Sequence, residues 1–141
     1  MNELYISSYL SGVMNLASSM STWIGPSYIE VECYEKENAL SNLVKDYHLP
    51  KEEYKMEEIN ENLKDLLKDL LGDNPKLLES VYYWITLHIG EAVKIKTPKE
   101  RKIIDKLGNS EGGNSPFYIV DDLYLIEFQE YVVFFIIGNN E

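Results

Sequence analysis

From Met1 to Ile24, Ile6, Leu10, Val13, Ala17 and Met20 recur at spacings of three and four, with Tyr5, Tyr9 and Leu16 widening the stripe. That is the period of an amphipathic helix. The opposite face holds Ser7, Ser8, Ser11, Asn15, Ser18 and Ser19, with Glu3 the one charge in the segment. An exposed helix ordinarily carries Lys and Glu, so this uncharged polar face predicts cover by a neighbouring helix, or by a second copy docking through residues 4–20. Gly25 and Pro26 break the pattern. Ser27 followed by Glu30 has capping-box spacing, which predicts a second helix over about 28–47. The competing reading is a half-buried strand, because Ile29, Val31 and Cys33 alternate with Glu30 and Glu32.

Beyond Leu49 and Pro50, the stripe of Ile59, Leu63, Leu66, Leu67, Leu70 and Leu71 predicts a helix over about 51–71, stopped by Gly72. Asp73, Asn74 and Pro75 open another, whose Leu77, Leu78, Val81, Tyr82, Trp84, Ile85, Leu87 and Ile89 leave little polar circumference. It is expected to be the central helix. Lys94 to Lys106 is locally basic, and Pro98 followed by Lys99 to Leu107 predicts a short exposed helix. Gly108 to Ser115 has the composition of a loop. The period then changes to that of strands: Phe117 to Val120, Leu123 to Phe128 and Tyr131 to Ile137, separated by polar pairs at Asp121–Asp122 and Gln129–Glu130. The last run is apolar on both faces and needs cover from both sides. The expected fold is a single α+β domain: four or five N-terminal helices over about 1–108, packed on a C-terminal three-stranded antiparallel meander over about 116–138.

The 141 residues match one domain able to bury roughly 70% of its unfolded surface. With 45% hydrophobic residues the chain is expected to fold despite a formal charge of -11. That charge argues against nucleic acid, whose phosphates need Lys or Arg contacts, and points to basic proteins as company. Cys33 alone gives no internal disulfide, so a reducing cytoplasm is the expected compartment. The first segment lacks the basic start of a signal peptide, and no run approaches the roughly 18 apolar residues of a membrane helix.

Candidate chemistry is sparse, and a non-enzymatic role without metal or other cofactor is expected. His48 at a helix end and His88 in an apolar helix are in no metal-ligand spacing. Cys33 has no partner that would activate a thiolate. Gly112 and Gly113 lack the spacing and lysine of a phosphate loop. Asp121, Asp122, Glu127 and Glu130 have the chemistry to hold a divalent ion, but Asp-Asp is also ordinary turn composition. Glu52, Glu53, Glu57, Glu58, Glu61, Asp65 and Asp69 are interleaved with Lys51, Lys55, Lys64 and Lys68, the pattern of a solvated helix face.

The last thirty-three residues differ: Glu111, Asp121, Asp122, Glu127, Glu130 and Glu141 are balanced by no Lys or Arg. They stand beside Tyr118, Tyr124 and Tyr131, and carboxylates among tyrosines make a desolvatable surface suited to Lys- and Arg-rich partners. Tyr118, Asp121, Asp122, Tyr124, Glu127, Glu130 and Tyr131 are therefore the candidate partner-binding residues. The run Leu125 to Glu141, with its strand, turn, strand and Gly-Asn-Asn-Glu ending, resembles those of small acidic immunity proteins of bacterial polymorphic and contact-dependent growth inhibition toxin systems. The resemblance implies an inhibitor that binds a toxin C-terminal domain, commonly a basic nuclease. It carries no signature motif from which a residue can be transferred. The alternative is a structural or regulatory oligomer-forming protein, of phage or mobile-element origin, assembled through the first helix.

Overall fold

The computed structural model describes residues 2–20, 28–72, 74–108 and 119–139. Helix α1 (Glu3–Met20) is followed by strand β1 (Tyr28–Glu35), α2 (Ala39–Asp46), β2 (Met56–Glu58), α3 (Leu63–Leu71), α4 (Pro75–His88), β3 (Lys94–Pro98), α5 (Lys102–Gly108), β4 (Ile119–Glu127) and β5 (Tyr131–Asn139). The class is mixed α and β, but the expected three-stranded C-terminal meander is wrong. The sheet has five strands, all pairings antiparallel, in the order β1-β5-β4-β3-β2.

Three elements account for the difference. Residues 28–35 form a strand because Ile29, Val31 and Cys33 all face one buried layer, and their full-length pairing with β5 outweighs a local capping signal. The region 51–62 is not helical. Met56 to Glu58 pairs with β3, and α3 begins only at Leu63, where the Asn62 side chain accepts a hydrogen bond from the Asp65 amide. Asp121 and Asp122 do not turn the chain: β4 runs through them with an irregular register between Val120 and Asp122, the signature of a β-bulge. Where the periodicity was strongest the expected elements are present: helices at α1 and α4, the tight Gln129–Glu130 turn and the stop of α3 at Gly72, whose φ is 86°. The loop expected at 108–115 and the start of the first expected C-terminal strand lie outside the described residues, apart from Gly108 at the end of α5.

β5 is inner and buried on both faces. Val133, Phe135 and Ile137 join Ile29, Val31, Cys33 and Ile126 beneath α1, α3 and α4. Val132, Phe134 and Ile136 join Val120, Leu123 and Leu125 beneath α2 and α5. Helices of the same chain thus supply the two-sided cover that the apolar run requires. α4 is not central: among its residues only Val81 and Ile85 are buried, while Tyr83 and Leu87 are exposed. α5 buries Ile103, Ile104 and Leu107, so it is a docked helix rather than an exposed one.

The uncharged face of α1 has a specific use. β1 is an edge strand, and its outward backbone groups at Ile29 and Val31 are met by side chains of α1. Asn15 Oδ1 accepts from the Ile29 amide at 2.7 Å while Asn15 Nδ2 donates to the Ile29 carbonyl. Ser11 Oγ accepts from the Val31 amide at 2.9 Å and donates to the Val31 carbonyl at 3.3 Å. Four residues of helix rise about 6.0 Å and two residues of strand about 6.6–6.8 Å, so the two ladders stay nearly in step. The helix closes an edge that would otherwise invite another strand.

Candidate partner-binding surface

The residues named from the sequence do not form one patch. Tyr118 lies outside the described residues. Asp121 is exposed at the bulge, and Glu130 is exposed in the β4–β5 turn. Asp122 and Tyr124 face the α3 layer, with the Tyr124 hydroxyl donating to Asp122 Oδ2 at 3.1 Å. Burial pushes the Tyr124 hydroxyl pKa up, and the negative charges of Asp122, Glu61 and Asp69 add to it. The structure therefore joins these strand residues to acids of the α3 region. Burial likewise raises the Glu61 carboxyl, and a hydrogen bond with Asp69 reinforces the shift.

Glu127 pairs across from Val132 and so lies on the opposite, α2 and α5, side, where Lys96 Nζ reaches its Oε1 at 3.1 Å. Tyr131 packs against the α1 layer. Asp122 and Glu127 are five residues apart along one strand, a span of about 17 Å. Among the described residues, the C-terminal acids Asp121, Asp122, Glu127 and Glu130 are therefore distributed over two ends and two faces of the sheet. Glu127 is already neutralised by a lysine of its own chain.

A more concentrated constellation lies on β1, where sequence reasoning placed no site residue. The alternation that sends Ile29, Val31 and Cys33 into one core sends Tyr28, Glu30, Glu32 and Tyr34 toward α2. There the Tyr34 hydroxyl donates to Asp46 Oδ2 at 2.8 Å and lies 3.4 Å from Glu32 Oε2, and Tyr47 is buried alongside. Burial pushes the Glu32 carboxyl up to about 7, with Glu30 and Asp46 adding repulsion and the Tyr34 hydrogen bond opposing it. Glu30 is also raised, chiefly by burial, against a hydrogen bond from Tyr28. Tyr34 and Tyr47 are pushed well up, again first by burial and then by the surrounding acids. Among the described residues no Lys or Arg figures among the groups that shift Glu30 or Glu32. The arrangement holds negative charge in a partly desolvated, tyrosine-walled seam. The alternating Glu30 and Glu32 were its visible signal. What was missing was knowledge that both sheet faces are covered, so that the polar face of β1 is itself half-buried.

This seam makes stability pH-dependent in a definite direction. An unfolded Glu loses its proton near its ordinary value of 4.5, whereas Glu32 keeps it to about 7. Between those values the folded state binds more protons, so stability falls as pH rises through the window. Urea midpoints are expected to decrease from about pH 5 to about pH 8, and Glu32→Gln should flatten most of that slope. An unchanged slope in the variant would show that Glu32 does not carry the effect.

Cys33 is buried, and burial raises its thiol to about 12, so it is an inert core residue. His48 ends α2 in a left-handed conformation with φ 55°, its amide bonded to the Lys45 carbonyl and that of Leu49 to the Val44 carbonyl. This is a Schellman-type stop. His88 is exposed beneath a surface stack in which Tyr5 and Tyr9 lie 6.3 Å apart, Tyr9 and Trp84 4.2 Å, and Trp84 and His88 4.8 Å. Among the described residues no group of three or more His, Cys, Asp or Glu is placed to hold a metal ion. No helix there is long and apolar enough to cross a membrane. Comparison with protein-family models, curated proteins and solved structures finds no match.

Proposed function

We propose that this protein is a non-enzymatic inhibitor that captures a basic protein, in the manner of an immunity protein neutralising a toxin domain such as a nuclease in the cytoplasm. The observation that carries this reading is the β1–α2 seam, where half-buried Glu30 and Glu32 stand with Asp46 among tyrosines and, among the described residues, no Lys or Arg shifts either glutamate. A guanidinium or ammonium entering the seam would meet carboxylates whose repulsion and desolvation it relieves, with Tyr28 and Tyr34 supplying aromatic walls. The formal charge of -11 adds a long-range field that speeds encounter with a basic surface. Asp121 and Glu130, exposed at the two ends of β4, fit the rim of such a contact rather than its centre.

Two features distinguish this mode of binding from general charge attraction. Because Glu32 is partly protonated near pH 7, seating a cation beside it releases a proton. Affinity for the partner is therefore expected to rise between about pH 6 and pH 8, and the binding enthalpy to vary with the buffer's ionisation enthalpy. Glu30→Gln with Glu32→Gln should weaken binding by about tenfold or more and abolish the proton release. The same change at Glu57 and Glu58, on the short edge strand, should alter only the salt-dependent association rate. The experiment begins with affinity capture at low salt and a salt-step elution. A stoichiometric basic protein whose toxicity is suppressed by co-expression supports the proposal. A captured partner bound equally by wild type and the Glu30 and Glu32 variant removes the seam from it.

A second reading, a self-associating structural or regulatory protein, has its own support in the α1–α4 surface. Leu4, Tyr5, Leu16, Tyr83 and Leu87 are exposed around the Tyr9–Trp84 stack. Ser11 and Asn15 are engaged within the chain, so association would use these apolar residues and not the polar face of α1. Sedimentation as a monomer at micromolar concentration would eliminate this reading.

A further inference from the structure

On the α2 and α5 side of the molecule, a cleft of about 630 Å³ opens between α2 and the segment that follows it. Leu40, Val44, Leu49 and Tyr54 provide its apolar lining, and Lys45, His48 and Lys51 stand on its rim. The Schellman-type stop of α2 directs the chain from His48 through Leu49 and so holds these two parts of the cleft together. Tyr54 is fixed from behind by its hydroxyl, which donates to the Pro50 carbonyl at 2.6 Å.

The charge here runs against that of the rest of the molecule. Glu52 lines the cleft, but Lys106 Nζ lies 2.9 Å and Lys102 Nζ 3.2 Å from its two oxygens. The same two ammonium groups lie over the Tyr54 ring, Lys102 5.5 Å and Lys106 5.8 Å from its centroid. Lys102 also has Glu100 at 3.9 Å. Glu52 is thus answered by Lys102 and Lys106, Lys45, Lys51 and Glu53 also line the cleft, and neither Lys45 nor Lys51 makes an ion pair among the described residues. The basic segment 94–106 contributes Lys102 and Lys106 to this wall. These two lysines are brought here because α5 docks Ile103, Ile104 and Leu107 into the same core as Leu43 and Leu49.

We infer that this cleft binds a small amphiphilic anion, one carboxylate or sulfonate on an apolar body. The volume lies within the range of about 300–1,000 Å³ typical of small-molecule sites, and the lining has their usual character of apolar walls with few convergent polar groups. The apolar body lies along Leu40, Val44 and Tyr54, and the head group meets Lys45 and Lys51, with a ring N–H of His48 as a further donor. The cleft has the wrong sign for the basic partner, so this inference stands apart from the proposed inhibitory function.

Isothermal titration calorimetry with decanoate and with decyltrimethylammonium, both kept below micelle formation, tests it. Decanoate is expected to bind once per chain and at least about tenfold more tightly than the cation of equal tail length. Lys45→Glu with Lys51→Glu, both at exposed positions, should lower decanoate affinity by about tenfold or more while leaving the thermal midpoint nearly unchanged. Val44→Trp, which fills the cleft, should abolish binding; if it fails to fold, the lysine pair decides alone. Equal affinity for the two head groups, indifference to the lysine reversal, or no saturation below about 1 mM would each overturn the inference.

Discussion

Phe135→Ala is expected to destabilise the protein by about 3–5 kcal/mol, the usual range for truncating a fully buried phenylalanine. Phe135 is 1% exposed and sits on an inner strand, where Val31 is its register partner and α1, α3 and α4 close the layer above. The truncation removes transfer free energy and leaves a void, because three helices and a sheet cannot all collapse onto one missing ring. Against a total stability of about 5–15 kcal/mol for a domain, that is a large share. The urea midpoint should fall with little change in slope. Phe134→Ala tests the opposite layer beneath α2 and α5, and a comparable loss is expected there. A loss below about 1 kcal/mol at either position would mean that the corresponding helical layer does not seal the sheet.

Asn15→Leu is expected to cost about 2–4 kcal/mol, although it replaces a polar side chain by an apolar one of similar size. The native amide satisfies both the N–H and the C=O of Ile29, and leucine leaves those groups facing a helix that still excludes water and any other strand. Ser11→Ala should behave in the same way at Val31 with a smaller loss, because the hydroxyl is shorter and one of its contacts is 3.3 Å. Hydrogen exchange supplies a local readout. The amides of Ile29 and Val31 should exchange faster in these variants, while those of Glu30 and Glu32, directed toward β5, keep their protection. Equal acceleration along the whole strand would indicate general unfolding and would remove the helix-to-edge ladder as the cause.

The particular places where local reasoning failed share a cause. Ser27 and Glu30 have the spacing of a helix start, yet residues 28–35 pair along their length with β5, a partner about a hundred residues away. A three-residue strand such as Met56–Glu58 has too little periodicity of its own to be seen, and exists because β3 offers an edge. Asp121 and Asp122 have turn composition, but flanking pairs on β5 continue on both sides, so the extra residue is absorbed as a bulge. In the candidate site, the unbalanced acids of the C-terminus were the conspicuous feature by composition. The side chains of Asp122 and Glu127 fall on opposite faces of a covered sheet, and Glu127 finds Lys96, which is 31 positions away. Glu30 and Glu32 looked unremarkable because their environment depends on α2 lying over β1.

The amino-acid sequence by itself determined the acidity of the protein, the amphipathic first helix, the apolar fourth helix and a final strand that demands cover on both faces. These follow from periodicity and composition within a few turns or one strand of chain. Only the tertiary structure decided which strands meet, that α1 seals the edge of β1 with Ser11 and Asn15, that the carboxylates of β1 lie in a half-buried seam, and that α5 brings its lysines to the cleft beside α2. Those outcomes depend on contacts between residues far apart in the chain. The free energy of such contacts comes from shared burial and paired backbone groups, which no local window contains.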